Sequence, residues 1–219
     1  SYEERYYPYA LDIDDNNLTY IIHFIKQSED VAHRKYHVSR YNYSEKYRKE
    51  IDNILNDTRR RYDAKQYHNA IVSSQPIYKI VGIDAAGAEI NFSPAVFGQT
   101  YRYARLKGIT NLTYHVGEDF YDLCDGLKAI DDAIRFLRLD KESRLGHAIA
   151  LGISPQKYYE RREYRTIMPR QRLLDTLAWI YGTATMNGLQ MSVEFLNALK
   201  YEISRLYRLI GYRNPYNID

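Results

Sequence analysis

The chain has 219 residues, 45% of them hydrophobic and 27% charged, with a net charge of +3. Enough apolar side chain is present to bury a core, which excludes a disordered polymer. The near balance of 31 basic and 28 acidic residues gives no charge-based sign of a nucleic-acid partner. A single cysteine, Cys124, excludes an internal disulfide framework and fits a reducing compartment. No signal peptide and no apolar run near the roughly 20 residues of a membrane span are present, so a cytoplasmic chain with no membrane partner is expected.

Taken in order, residues 1–8 read as the end of a strand entering a turn at Pro8, and 12–17, rich in Asp and Asn, as a turn. Residues 18–25 are β-branched and aromatic, with apolar side chains on both faces, which predicts a buried parallel strand. His23 inside it reads as a hydrogen-bonded core or barrel-wall histidine. A polar, basic stretch over 28–43 precedes a helix from about Ser44, the expected N-cap, with Tyr47, Ile51, Ile54 and Leu55 at helical spacing. Residues 77–84 predict the next strand and 85–89 the loop at its C-terminal end. Ser93 and Pro94 predict a capped helix start, Phe97, Tyr101 and Ala104 its buried face, and Gly108 its end.

A third strand is expected over 109–115, then an amphipathic helix through Leu123, Leu127, Ile130, Ile134 and Leu137, then a short fourth strand over 144–149. Beyond it the pattern changes. Residues 158–165 are charged and aromatic. Pro169 opens one helix, with Leu173, Leu177, Ile180 and Tyr181 on a face. Ser192 caps another, which runs through Leu196, Leu199, Ile203, Leu206 and Ile210 to Gly211. The expected organisation is an α/β unit over 1–150 and an appended or inserted helical pair over 151–219.

Strand–helix alternation of this length predicts a parallel sheet, either a barrel or a doubly wound sheet, with chemistry at the C-terminal strand ends. Asp84, His115 and His147 stand at three such ends. His115 and Glu118, in Thr113-Tyr-His-Val-Gly-Glu118, pair a metal-type ligand with a proton carrier. A zinc ion lowers the pKa of a bound water to about 7. A nearby carboxyl group can move the proton.

Three stretches, Gly82-Ile-Asp-Ala-Ala-Gly-Ala-Glu89, Thr113-Tyr-His-Val-Gly-Glu118 and Arg144-Leu-Gly-His147, resemble three successive motifs of the adenosine deaminase branch of the metal-dependent amidohydrolases. Tyr2-Glu-Glu-Arg-Tyr-Tyr-Pro8 is similar to the segment after that family's second barrel strand. The resemblance covers about residues 1–150. It implies a partial (β/α)8 TIM barrel carrying about strands two to six, and a zinc-dependent hydrolase that removes the 6-amino group of a purine nucleoside or nucleotide.

By motif position, His115 would be a metal ligand, Glu118 the proton donor to the purine ring and His147 the residue that positions the zinc-bound hydroxide. Gly87 would let backbone approach the purine and Asp84 would support the site. Ala85, Val116 and Ala148 depart from the family's leucine, alanine and glycine. The family's first-strand His-x-His is absent, and nothing after residue 150 resembles its last strands. The chain is therefore expected to be an internal piece of a longer enzyme that on its own binds zinc weakly and does not catalyse. The helical pair is similar to insertions in the large deaminases of RADAR-type phage-defence systems, which form large assemblies.

Two other readings use different residues. Basic and aromatic side chains interleave over 33–43, 59–62 and 158–165, as in nucleic-acid-binding surfaces, although interspersed acids favour a solvated surface. The helical pair offers an apolar stripe that a homo-oligomer would cover. A catalytically incomplete barrel serving as a binding or interaction module is the alternative function.

Overall fold

The computed structural model describes residues 19–26, 43–56, 79–90 and 92–212. The expected turns near Pro8 and over 12–17, most of the basic stretch 28–43 and the 59–62 cluster lie outside the described residues.

Four parallel strands, β1 (Thr19–Lys26), β2 (Lys79–Gly87), β3 (Asn111–Val116) and β4 (Arg144–His147), form one sheet in the order β1-β2-β3-β4. Helix α1 occupies 43–56. It is followed by α2 (Gly98–Leu106), α3 (Leu123–Leu137), α4 (Pro155–Arg161), α5 (Arg170–Met186) and α6 (Val193–Ile210). Spatial order follows sequence order without reversal, so there is no switch point among the described strands. A doubly wound sheet would place one there. The architecture is α/β and compatible with part of a barrel.

Strand alternation sorts side chains between two faces. Phe24, Ile83, Ala85, Leu112, Tyr114 and Val116 belong to the core that the helices cover. Rings continue from strand to helix: Phe24 meets Tyr47 at 4.8 Å, Tyr47 stacks on Phe97 at 5.1 Å, and Phe97 meets Tyr114 edge-on at 5.7 Å. The buried hydroxyls of Tyr47 and Tyr101 donate to the Ile25 and Thr113 carbonyls, so these tyrosines close the core while leaving few polar atoms unsatisfied. Burial raises the Tyr101 and Tyr114 pKa values well above the ordinary phenolic range.

Several expectations need correction. β1 is not buried on both faces: Ile21 and Ile25 are exposed, and so is His23, whose side chain is 59% accessible. Ala85–Gly87 continue β2 instead of forming its loop, because they stay in register with Phe24–Lys26 of β1. Ser44 lies inside α1, and its hydroxyl donates to Gln99 instead of capping. Residues 155–161 form α4, which periodicity did not reveal. At α3 the cap is Asp122, whose Oδ1 accepts the Cys124 amide at 3.0 Å.

The last two helices form a pair around Leu174, Ile203 and Leu206. Ser192 caps α6 by accepting the Phe195 amide at 3.1 Å, and Gly211 ends it in the left-handed conformation. The pair leans on α3 through polar contacts: Arg172 pairs with Asp125 at 3.0 Å, and the Trp179 indole donates to Asp131 at 2.8 Å. No helix among the described residues is long and apolar enough to cross a membrane.

Candidate functional site

Asp84, three residues before the end of β2, His115 and His147, near the ends of β3 and β4, and Glu118, just past β3, form one chain of contacts. Asp84 is central to it and only 1% exposed. Its Oδ1 lies 3.0 Å from His115 Nδ1, and its Oδ2 lies 2.8 Å from the same nitrogen. Oδ2 is also 2.9 Å from His23 Nδ1. Neither contact of Oδ2 has hydrogen-bond direction, so the Oδ1 bond is the ordering one.

A carboxylate only accepts, which assigns the proton of His115 to Nδ1 and leaves a lone pair on Nε2. A carboxylate behind a histidine in this way is the usual outer support of an imidazole metal ligand. The His115 and His147 rings stand 5.0 Å apart, centre to centre. His147 Nε2 is 3.3 Å from Glu118 Oε2.

Local backbone explains why these side chains reach one edge. Gly117, at φ +82°, turns the chain after β3 so that Glu118 comes back beside β4, and a Cβ there would sit 2.7 Å from Ile130. On β4, Gly146 leaves room for the His115 ring: an added Cβ would lie 2.8 Å from it. His147 and Ala148 both have positive φ, at 59° and 48°, so the end of β4 is held in the left-handed region by non-glycine residues. Hydrogen bonds from Ala148 N to Val116 O at 3.0 Å and from Ala150 N to Gly117 O at 2.9 Å hold it there.

Of the residues predicted from sequence, Asp84, His115, His147 and Glu118 are therefore neighbours. Gly87 lies further along β2, opposite Lys26 of β1, with φ +107°. That conformation alone calls for glycine, whether or not a ligand approaches. His23 was missed as a site neighbour. Its place in an apolar run pointed to the core or the barrel wall, and only the register His23↔Asp84 puts it at the carboxylate.

Two more residues support the site from the other side of the sheet. Lys26 is 3% exposed, its amine rests 4.2 Å above the Tyr114 ring, and it donates to the His115 carbonyl. Burial pushes its pKa down to about 8 against the pull of Glu89, Asp84, Glu118 and Asp119. Glu89 is also buried. Its Oε2 accepts the Gly117 amide at 2.6 Å and the Glu118 amide at 3.3 Å. Burial raises its pKa, opposed by Lys26 and by the amides of Gly117, Glu118 and Asp119. Lys26 and Glu89 both line a cleft of about 60 Å³ that reaches α3 and α5.

The aromatic–basic stretch over 158–165 is used partly for packing. Arg162 lies 4.7 Å over the Tyr158 ring and donates to the Tyr121 carbonyl at 2.9 Å. Tyr159 donates to Asp122 at 2.8 Å and touches the Cys124 sulfur at 3.4 Å, while burial raises the thiol pKa.

Among the described residues no three His, Cys, Asp or Glu side chains come together as a group that could hold a metal ion. His115, with Asp84 behind it, fits one ligand position of a zinc site, and the described residues do not complete the set. No protein-family model matches the chain, and no curated protein matches it at a significant level.

Proposed function

We propose that the chain is part of a (β/α)8-barrel adenosine deaminase-like hydrolase, which removes the 6-amino group of a purine nucleoside or nucleotide. One observation carries the reading. Asp84, His115, His147 and Glu118, predicted from three separate motifs, meet at the C-terminal edge of a parallel sheet whose strands run in sequential order.

Within this reading His115 is the chain's contribution to a zinc site, and Asp84 holds its ring and its proton. Bound zinc would supply Lewis acidity that makes water a nucleophile at neutral pH. The chain's own residues do the rest. Glu118 is partly exposed and its Oε2 lies 3.3 Å from His147 Nε2, which sets the proton carrier beside the second histidine. From there Glu118 delivers a proton to the purine ring nitrogen, and His147 orients the attacking water. Attack at C6 forms the new C–O bond, and the C–N bond then breaks to release ammonia. Gly87, without a side chain, leaves space for the base near the strand ends.

The test is formation of an inosine-type product by the full-length protein supplied with zinc, with adenosine and adenine nucleotide as substrates. Glu118→Gln keeps the shape and removes the proton carrier, and is expected to lower kcat by about 100-fold or more. Unchanged turnover in that variant would remove Glu118 from its role. No product from the wild-type protein with any purine amine would overturn the reading.

A further inference from the structure

His115, near the end of β3, and Glu118, in the turn that follows, bound one short strand-to-turn segment (the His115–Glu118 loop), yet what holds it stands on the opposite, helix-covered side of the sheet. Lys26 donates to the carbonyl of His115 at the loop's start. Glu89 accepts the amides of Gly117 and Glu118 at its end. Both side chains are more than nine-tenths buried, and neither is placed among the reacting groups. Tyr114 supports the Lys26 amine from below at 4.2 Å. The two grips bracket Val116, and Gly117, whose amide Glu89 holds, is at φ +82°, so the turn has a conformation that needs holding.

Burying an amine and a carboxylate costs several kcal/mol each unless partners offset it. Their nearest partners here are backbone groups of one loop. The two charges also offset one another, but an apolar pair would pack this site at lower cost, and only the charged pair supplies a donor to His115 and an acceptor for Gly117 and Glu118.

We propose that Lys26 and Glu89 are positioning residues that clamp the His115–Glu118 loop from behind, setting the separation of the two side chains that work on the other face of the sheet. Lys26 fixes the carbonyl of His115, and with it the direction in which the ring leaves β3. Glu89 fixes the amides that aim Glu118 toward His147. The kinetic consequence rests on the deaminase reading, whereas the structural one does not.

The test compares the full-length wild-type protein with Lys26→Met and Glu89→Leu, which keep bulk and remove the contacts, and with Glu89→Gln, which keeps an acceptor oxygen. Amide hydrogen exchange is followed alongside deamination. In Lys26→Met and Glu89→Leu, exchange over residues 116–119 is expected to rise about tenfold or more while α3 and α6 are unchanged. Glu89→Gln is expected to stay within about threefold of wild type. In the same two loss variants kcat falls by about 100-fold with KM within about threefold, because a misplaced group costs turnover more than binding.

Unchanged exchange over 116–119 in both loss variants would overturn the clamp. So would a rise spread evenly over α3 and α6 in Lys26→Met together with Glu89→Gln, since the residues would then serve general stability. A wild-type protein without deaminase activity sinks the reading of the reaction, and the exchange result still decides the clamp.

Discussion

Lys26 shows how far one residue can be moved from its ordinary chemistry by where a strand ends. It is the last residue of β1, and alternation turns it to the helix-covered face, where water is excluded. Its pKa of about 8 is below the ordinary lysine value of 10.5 because burial disfavours the charged form. The sign follows from which state binds the proton. Between about pH 8 and 10.5 the unfolded chain holds the proton and the folded chain does not. Stability therefore rises with pH across that window, and the penalty is fully present below pH 8. The full difference is about 3 kcal/mol. Urea unfolding at pH 8 and pH 10 is expected to show a rise in wild type that is absent in Lys26→Met. Equal pH dependence in the two proteins would mean that Lys26 is not buried as a neutral amine.

His23 is the opposite case. Its apolar surroundings argued for a hydrogen-bonded core or barrel-wall histidine; it is exposed, and cross-strand register puts it at Asp84.

At the scale of elements, the ends of the strands matter more than their middles. β4 is only four residues long, and its last residue, His147, and the next, Ala148, are both left-handed. A left-handed non-glycine residue costs about 1–2 kcal/mol, and the bonds from Ala148 N and Ala150 N back to the β3 loop offset it. Ala148→Gly is expected to stabilise the protein by about 1 kcal/mol, seen as a higher urea midpoint with unchanged slope. A lower midpoint would show that the methyl group packs well enough to outweigh the backbone strain.

The elements themselves were largely legible: four strands and the faces of α2, α3 and α6 follow from period and caps. Phe97, Tyr101 and Ala104 are all fully buried, as their spacing predicted. The boundaries were less so. Ala85–Gly87 read as loop because small residues and glycine signal turns, but pairing with β1 extends the strand through them.

At the largest scale, two kinds of interface divide the described residues. The sheet and α1–α3 share an aromatic core, and α5 and α6 share a small apolar one. Between them the contacts are polar, as at Trp179–Asp131 and Arg172–Asp125. Polar interfaces of this sort join units that can open separately. Trp179→Phe removes one hydrogen bond and is expected to cost about 1 kcal/mol. That loss is expected as roughly fivefold faster amide exchange in α5 and α6, with β2 and β3 unchanged. An equal acceleration in the strands would show a single cooperative unit.

The sequence by itself determined the α/β class and the order of the four strands, missed α4, and singled out five residues, four of which the fold makes neighbours. Period, caps and motif spacing are local properties: they place His115 and His147 near the ends of β3 and β4 and Glu118 just past β3, whereas Asp84 lies three residues inside the end of β2. Tertiary structure alone decided that Asp84 faces two histidines and that Lys26 and Glu89 grip the His115–Glu118 loop from behind. Those contacts join residues 28 to 89 positions apart through register and strand alternation. No local pattern encodes which buried charge will meet which backbone group.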